Sequence, residues 1–242
     1  MVMLKQIKSM LVLITVVFTT AASAQTKDKQ SLNSKEQAIV GISGLAGKGE
    51  LSKLKDQLNA GLDAGLTINQ IKEALMQVYA YAGFPRSLRG LQTFMAVLDE
   101  RKAKGISDEL GADASPIVSD KSKYERGKAI LEQLSGNKET GPKTGYAAFA
   151  PTIEVFLKEH LFADIFERDV LTYQQRELVT VSVLSGIGGV GPMLRSHLNL
   201  CLNVGLTPGQ LQDFVAVIRK SVGETEANAA QKVLDEVLNN SK

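Results

Sequence analysis

The chain has 242 residues, 44% of them hydrophobic and 22% charged, with 28 Lys+Arg against 26 Asp+Glu, one cysteine and no tryptophan. That length supports a sizeable buried core, and a single thiol rules out an internal disulfide. With balanced charge and no dense basic stripe, binding to nucleic acid or to a membrane surface has no electrostatic footing.

The first 24 residues read as a leader. Lys5 and Lys8 give a basic start, Met10 to Val17 is an apolar run, and Ala22-Ser23-Ala24 is a small-residue cleavage site. The run is too short to span a bilayer comfortably, so no stable membrane insertion is expected. Cleavage after Ala24 would place a product starting at Gln25 in the periplasm or outside the cell. Losing Lys5 and Lys8 leaves 26 basic and 26 acidic side chains, a formal charge of zero.

A polar lead-in at 25–33 precedes the first predicted helix, which starts at Ser34 with Gln37 at capping-box spacing and carries Ile39, Val40, Ile42 and Leu45. Gly47-Lys48-Gly49 breaks it. A second helix, about Glu50 to Ala64, sets Leu51, Leu54, Leu58 and Leu62 on one stripe and stops at Gly65. Thr67 caps a third, Ile68 to about Ala82. The turn Gly83-Phe84-Pro85 leads into a fourth helix ending before Gly105, and Gly105 to Pro116 reads as a connection. A helix near Lys121 to Leu134 and a turn-rich stretch, Ser135 to Gly145, come next. Ala150 to Phe166 then places Phe149, Ile153, Phe156, Leu157 and Leu161 at helical intervals. From Leu171 the order is a Thr172 cap, a helix to about Ser185, a glycine loop, a helix from Pro192 to Val204, a Gly205 stop, a Thr207 cap, a helix to Val222 and a last helix to about Leu238. The expected class is all-α.

One passage occurs twice. Ala60-Gly61-Leu62-Asp63-Ala64-Gly65-Leu66-Thr67-Ile68-Asn69-Gln70-Ile71 returns 140 positions later as Leu200-Cys201-Leu202-Asn203-Val204-Gly205-Leu206-Thr207-Pro208-Gly209-Gln210-Leu211, and Ile39 to Leu45 matches Leu178 to Leu184 at a shift of 139. A unit longer than one helix hairpin, present twice, predicts two copies of a small module, 25–115 and 116–242, packed as a pseudo-dimer. Polar residues kept in one copy and lost in the other then become candidates for chemistry.

Two such residues are Glu177 and His197, which correspond to Ala38 and Gln57. An antiparallel hairpin would bring the carboxylate to the imidazole, fixing the tautomer and leaving the second ring nitrogen to move a proton. A buried, satisfied histidine is the structural alternative. Arg176 and Arg195, with Arg86 and Arg89 of the first half, are candidates to hold a substrate carboxylate, or else solvated surface arginines. Cys201 shares a helix face with His197. His160, amid charged neighbours, reads as an exposed or helix-end histidine. Two distant histidines without a cysteine pair make no zinc pattern, so no metal is expected. Gly186-Ile187-Gly188-Gly189-Val190-Gly191 fits G-x-G-x-x-G, but lacks the strand context and later acidic residue of a dinucleotide site, and reads as a tight helix–helix joint with no cofactor.

Phe162 to Leu171, Arg176-Glu177-Leu178-Val179-Thr180-Val181, Arg195-Ser196-His197 and Asn203-Val204-Gly205-Leu206-Thr207 together resemble the carboxymuconolactone decarboxylase family. In the first half, Ala64-Gly65-Leu66-Thr67 and Gln77 to Pro85 resemble the later portion of the same module. The resemblance implies the alkylhydroperoxidase D-like helical fold and a homo-oligomer, a trimer of two-module chains or a similar ring. In the hydroperoxidase branch a C-x-x-C pair lies four and seven residues before the histidine. Met193 and Val190 stand there, so that disulfide relay cannot run. In the decarboxylase branch the histidine carries over onto His197. The implied activity is decarboxylation or lactone chemistry by proton transfer on a small carboxylated substrate, with His197 and Glu177 catalytic and Arg176, Arg195 and Tyr81 bordering the site. Two alternatives are a thiol peroxidase working through Cys201 with an external reductant, and a non-catalytic binding or assembly scaffold.

Overall fold

The computed structural model describes residues 31–240. The expected leader, its cleavage point and nearly all of the polar lead-in lie outside the described residues. Among the described residues every regular element is helical, and no helix is long and apolar enough to cross a membrane.

The centre is built from α1 (Ser34–Lys48) and α8 (Tyr173–Ile187), which pack along each other. Residues 38–47 of α1 and 176–186 of α8 are all buried. A helix apolar all round belongs in the middle of a fold. Small residues let these two backbones come close: a Cβ at Gly186 would lie 2.3 Å from the carbonyl oxygen of Gly44, and one at Gly47 would lie 3.0 Å from that of Val183. Under the 139-residue shift Gly47 maps onto Gly186 and Gly44 onto Val183, so the two contacts are reciprocal.

The other helices wrap this pair. In the first half α2 (Leu51–Asp63), α3 (Ile68–Gln77) and α4 (Tyr79–Ala103) follow α1; in the second α9 (Gly191–Asn203), α10 (Pro208–Ser221) and α11 (Glu224–Asn240) follow α8. Thr67, Thr172 and Thr207 each accept a bond from the backbone N–H three residues on, with Gln70, Gln175 and Gln210 returning the capping box. The first cap lies one residue before the expected Ser34: Asn33 takes it, paired with Glu36. Asparagine suits the position because its carbonyl reaches the N3 amide without lengthening the helix. Gly83 breaks the helical backbone inside α4 at φ 77°, where a side chain would be strained, and Pro85 restarts it.

The connection at 105–120 folds back on α3. Glu109 and Leu110 carbonyls accept the backbone N–H groups of Ile68 and Asn69, and the Asn69 amide reaches the Gly111 and Ala112 carbonyls. Beyond it, α5 (Lys123–Ser135) packs on a π-helical stretch, Leu157–Phe166, with Gly127 riding on the Lys158 carbonyl. A smaller apolar cluster forms there around Ile130, Leu134, Leu161, Phe162, Ile165 and Phe166.

The single helix expected over Ala150 to Phe166 is instead two pieces, α7 (Pro151–Phe156) and the π-helical stretch, and a short α6 (Gly145–Phe149) precedes them. The wider π turn rotates the downstream apolar residues away from the Phe149–Phe156 stripe. Phe149, Ile153 and Phe156 are exposed, while Phe162 and Phe166 are buried.

Candidate functional site

Glu177 lies on α8 and His197 on the antiparallel α9, joined by a loop with Gly188 and Gly189 at positive φ. The glycines that fit the nucleotide fingerprint therefore close a helix hairpin, with no strand before them. The hairpin sets His197 Nδ1 2.8 Å from Glu177 Oε2. Glu177 is fully buried, and its second oxygen, Oε1, has no hydrogen-bond partner in the protein. A buried carboxylate whose one hydrogen-bond partner is an imidazole accepts from Nδ1–H, fixes the ring's tautomer and leaves Nε2 to exchange a proton. The His197 side chain keeps 15% of its surface, and that surface faces a cavity of about 750 Å³.

The cavity is assembled from three regions. Tyr79, Tyr81 and Phe84 come from the first half, Met193, His197 and Leu200 from α9 and its approach, and Ile153 to Phe162 from the α7–π segment. Tyr81 stands edge-on to the His197 ring, with centroids 5.6 Å apart, and its hydroxyl lies 3.1 Å from Thr180 Oγ1. Gln77 Nε2 donates to the same Thr180 oxygen and to the Arg176 carbonyl. Burial, reinforced by the Glu177 charge, pushes the Tyr81 phenol well above its usual pKa, so it is a neutral hydroxyl at working pH.

Arg176 does not border the cavity, which corrects the expectation of a carboxylate clamp. Its guanidinium is sealed at 0% exposure, bonded to Glu73, Gln77 and the Arg168 carbonyl. Glu73 also takes a bidentate bond from Arg168. This is a buried ion network joining α3 to α8, and its arginine, sealed within it, does not reach a ligand in the cavity. Arg195 corrects the same expectation differently. It is half-exposed, does not line the cavity and pairs with Glu236. Arg86 and Arg89 are exposed on the first half.

Cys201 is buried, and burial together with the nearby Glu177 charge drives its thiol pKa well up. A sealed, protonated thiol is not a nucleophile. The single-thiol peroxidase expectation therefore fails at the residue it depends on.

Sequence reasoning kept His160 outside the site. It is exposed, as expected, yet it lines the same cavity as His197. His160 Nδ1 lies 3.1 Å from Asp164 Oδ2, and its ring stands edge-on to Tyr79. The i, i+4 relation of His160 and Asp164 was the available signal. Among the described residues, no group of three or more His, Cys, Asp or Glu side chains could hold a metal ion.

The carboxymuconolactone decarboxylase family model matches residues 151–236, a span containing Glu177, His197 and His160. Over that span the chain is similar to the carboxymuconolactone decarboxylase family. Among curated proteins, the 4-carboxymuconolactone decarboxylase of Acinetobacter baylyi is 26% identical over 121 residues, covering 50% of this chain and 90% of the relative. The matched span supplies the carboxylate and both imidazoles, while the two tyrosines that touch those imidazoles come from α4, outside it.

Proposed function

We propose that the protein is a decarboxylase-like enzyme whose proton-transfer centre is His197, held by Glu177. The observation that carries this reading is the 2.8 Å contact between a fully buried carboxylate and an imidazole that opens on a ligand-sized cavity. The family match over residues 151–236 and the decarboxylase relative support the same class of reaction.

In such a reaction the bond between carbon and the departing carboxylate breaks, CO2 leaves, and the electron pair delocalises onto a conjugated carbonyl as an enolate. Protonated His197 then delivers a proton from Nε2 to carbon, Glu177 holding Nδ1–H throughout, and solvent restores the ring's proton afterwards. The neutral Tyr81 hydroxyl, beside the ring, is placed to donate to developing oxyanion charge. The same machinery serves lactone double-bond migration, in which a proton is removed and returned.

Support for two tandem modules comes from the repeated helix order and the reciprocal glycine contacts between α1 and α8. On that reading the first copy has lost its centre, with Ala38 and Gln57 in place of Glu177 and His197. Export and assembly into a ring of copies complete the proposal.

The test is CO2 release from 4-carboxymuconolactone and from a panel of 3-oxo acids of increasing chain length. His197→Gln should lower turnover of any accepted acid by at least roughly a hundredfold, with the helical circular dichroism unchanged. Turnover that survives the substitution overturns the assignment.

A further inference from the structure

The two histidines of the cavity have parallel settings with opposite electrostatics. His197 rests on Glu177, a buried carboxylate with one free oxygen and no Lys or Arg among its hydrogen-bond partners. His160 rests on Asp164, but Asp164 also binds Lys123 Nζ at 2.8 Å. Burial raises the Asp164 pKa, and the bonds from Lys123 and His160 outweigh it and hold the carboxyl below its ordinary value. The anion at the outer pair is thus already balanced by a lysine, whereas the anion at the inner pair is not.

The rest of the wall decides what kind of molecule fits. No Lys or Arg lines the cavity; Phe84, Ile153, Phe156, Leu157, Met193 and Leu200 do. Several of these are unusually open for their size: Phe84 is 62% exposed, Phe156 59% and Met193 53%. A volume of about 750 Å³ lies within the range of about 300–1,000 Å³ typical of sites for drug-sized ligands. A compact di- or tricarboxylate would leave most of that wall wet and its charges unmatched.

We propose that the cavity takes a monoacid with a long apolar body, its carboxylate head against the His160 imidazole and its body over the Phe84–Phe156–Met193 wall. This substrate class rests on the reading of His197 as the proton-transfer centre: the head at His160 is retained, and the step it fits is the proton removal and return of double-bond migration on the body, since loss of CO2 would need the head at His197. With Nδ1–H given to Asp164, a protonated His160 has Nε2–H left to donate to the head. With both rings protonated, the inner Glu177–His197 pair is neutral overall while Lys123, Asp164 and His160 together carry a net positive charge, so the head is drawn to the outer end. His160 is then a binding residue and Asp164 a positioning residue.

Decanoate is the probe, with adipate as a dicarboxylate lacking an apolar body, both titrated into the full chain by calorimetry and followed on histidine ring signals by NMR. Decanoate should bind at least tenfold more tightly than adipate. His160→Gln should weaken decanoate about five- to tenfold, the loss of one charge-assisted hydrogen bond, and His197→Gln less than threefold. Phe156→Ser, which leaves both imidazoles in place and adds no charge, should weaken decanoate at least tenfold and leave adipate unchanged. Equal affinity for the two acids, or a loss confined to His197→Gln, overturns the proposal. So does decanoate failing to bind a chain whose mass in solution is that of an assembly, the sign that another copy fills the groove. Each of these results is independent of turnover in the His197→Gln variant, which judges the proton-transfer reading separately.

Discussion

Arg176 and Arg195 show how much one side chain's surroundings decide. Both are arginines near the histidine hairpin in sequence. One is sealed against Glu73, and the other reaches into solvent toward Glu236. Replacing Arg176 by Met should cost about 3–5 kcal/mol, because Glu73 would keep only Arg168 while buried in the network. Arg195→Met should change stability by about 0.5 kcal/mol or less. Urea denaturation followed by circular dichroism measures both, and similar midpoints for the two variants would contradict the network. The Glu177–His197 contact was legible because a helix hairpin with a short glycine loop fixes which faces meet. The fate of Arg176 was not, because its partners Glu73 and Gln77 are 103 and 99 residues away along the chain. No local spacing encodes such a pairing.

Among the elements, the central pair α1 and α8 depends on glycine where the backbones touch. Gly186→Ala would drive a methyl to 2.3 Å from the Gly44 carbonyl oxygen, a backbone atom that cannot rotate aside. The expected cost is about 1–3 kcal/mol of overpacking, read as a lower thermal midpoint, whereas Gly141→Ala, with open space around it, should leave the midpoint unmoved. The helices themselves were readable in the chain, since caps, stops and apolar periods agree with one another at most boundaries. The stretch from 145 to 166 was the exception. Its apolar residues keep an α-helical interval, but the π turn is set by packing against Gly127 and the α5 face, a tertiary contact that periodicity does not carry. His160 lies within that stretch and on the cavity wall, so the missed element and the missed site residue coincide.

For the molecule as a whole, acid sensitivity should concentrate beside the cavity. Glu154 is buried, which raises its pKa, but bonds from Lys143, Lys158 and Tyr124 outweigh burial and bring it down to about 2. A carboxyl lowered in the folded state contributes stability fully above its ordinary value near 4.5, and that contribution disappears as pH falls from about 4.5 through 2. Its partner Lys158 is raised, burial being outweighed by Glu139 and Glu154, so the lysine's contribution is present below about 10.5 and is lost as pH climbs beyond it. Denaturation midpoints between pH 2 and 6 should fall more steeply for the native chain than for Glu154→Gln. Matching slopes would remove this network from the account of acid unfolding.

The lone contact between Glu177 and His197 Nδ1 also governs traffic. With one ring nitrogen tied to a sealed carboxylate, the imidazole exchanges hydrogen with bulk water only by way of its other nitrogen and the cavity. A guest filling that hollow covers the nitrogen through which the ring exchanges. Whatever isotope the ring holds at the moment of filling is then delivered to the guest or kept, and label added to the solvent later arrives after the door has shut.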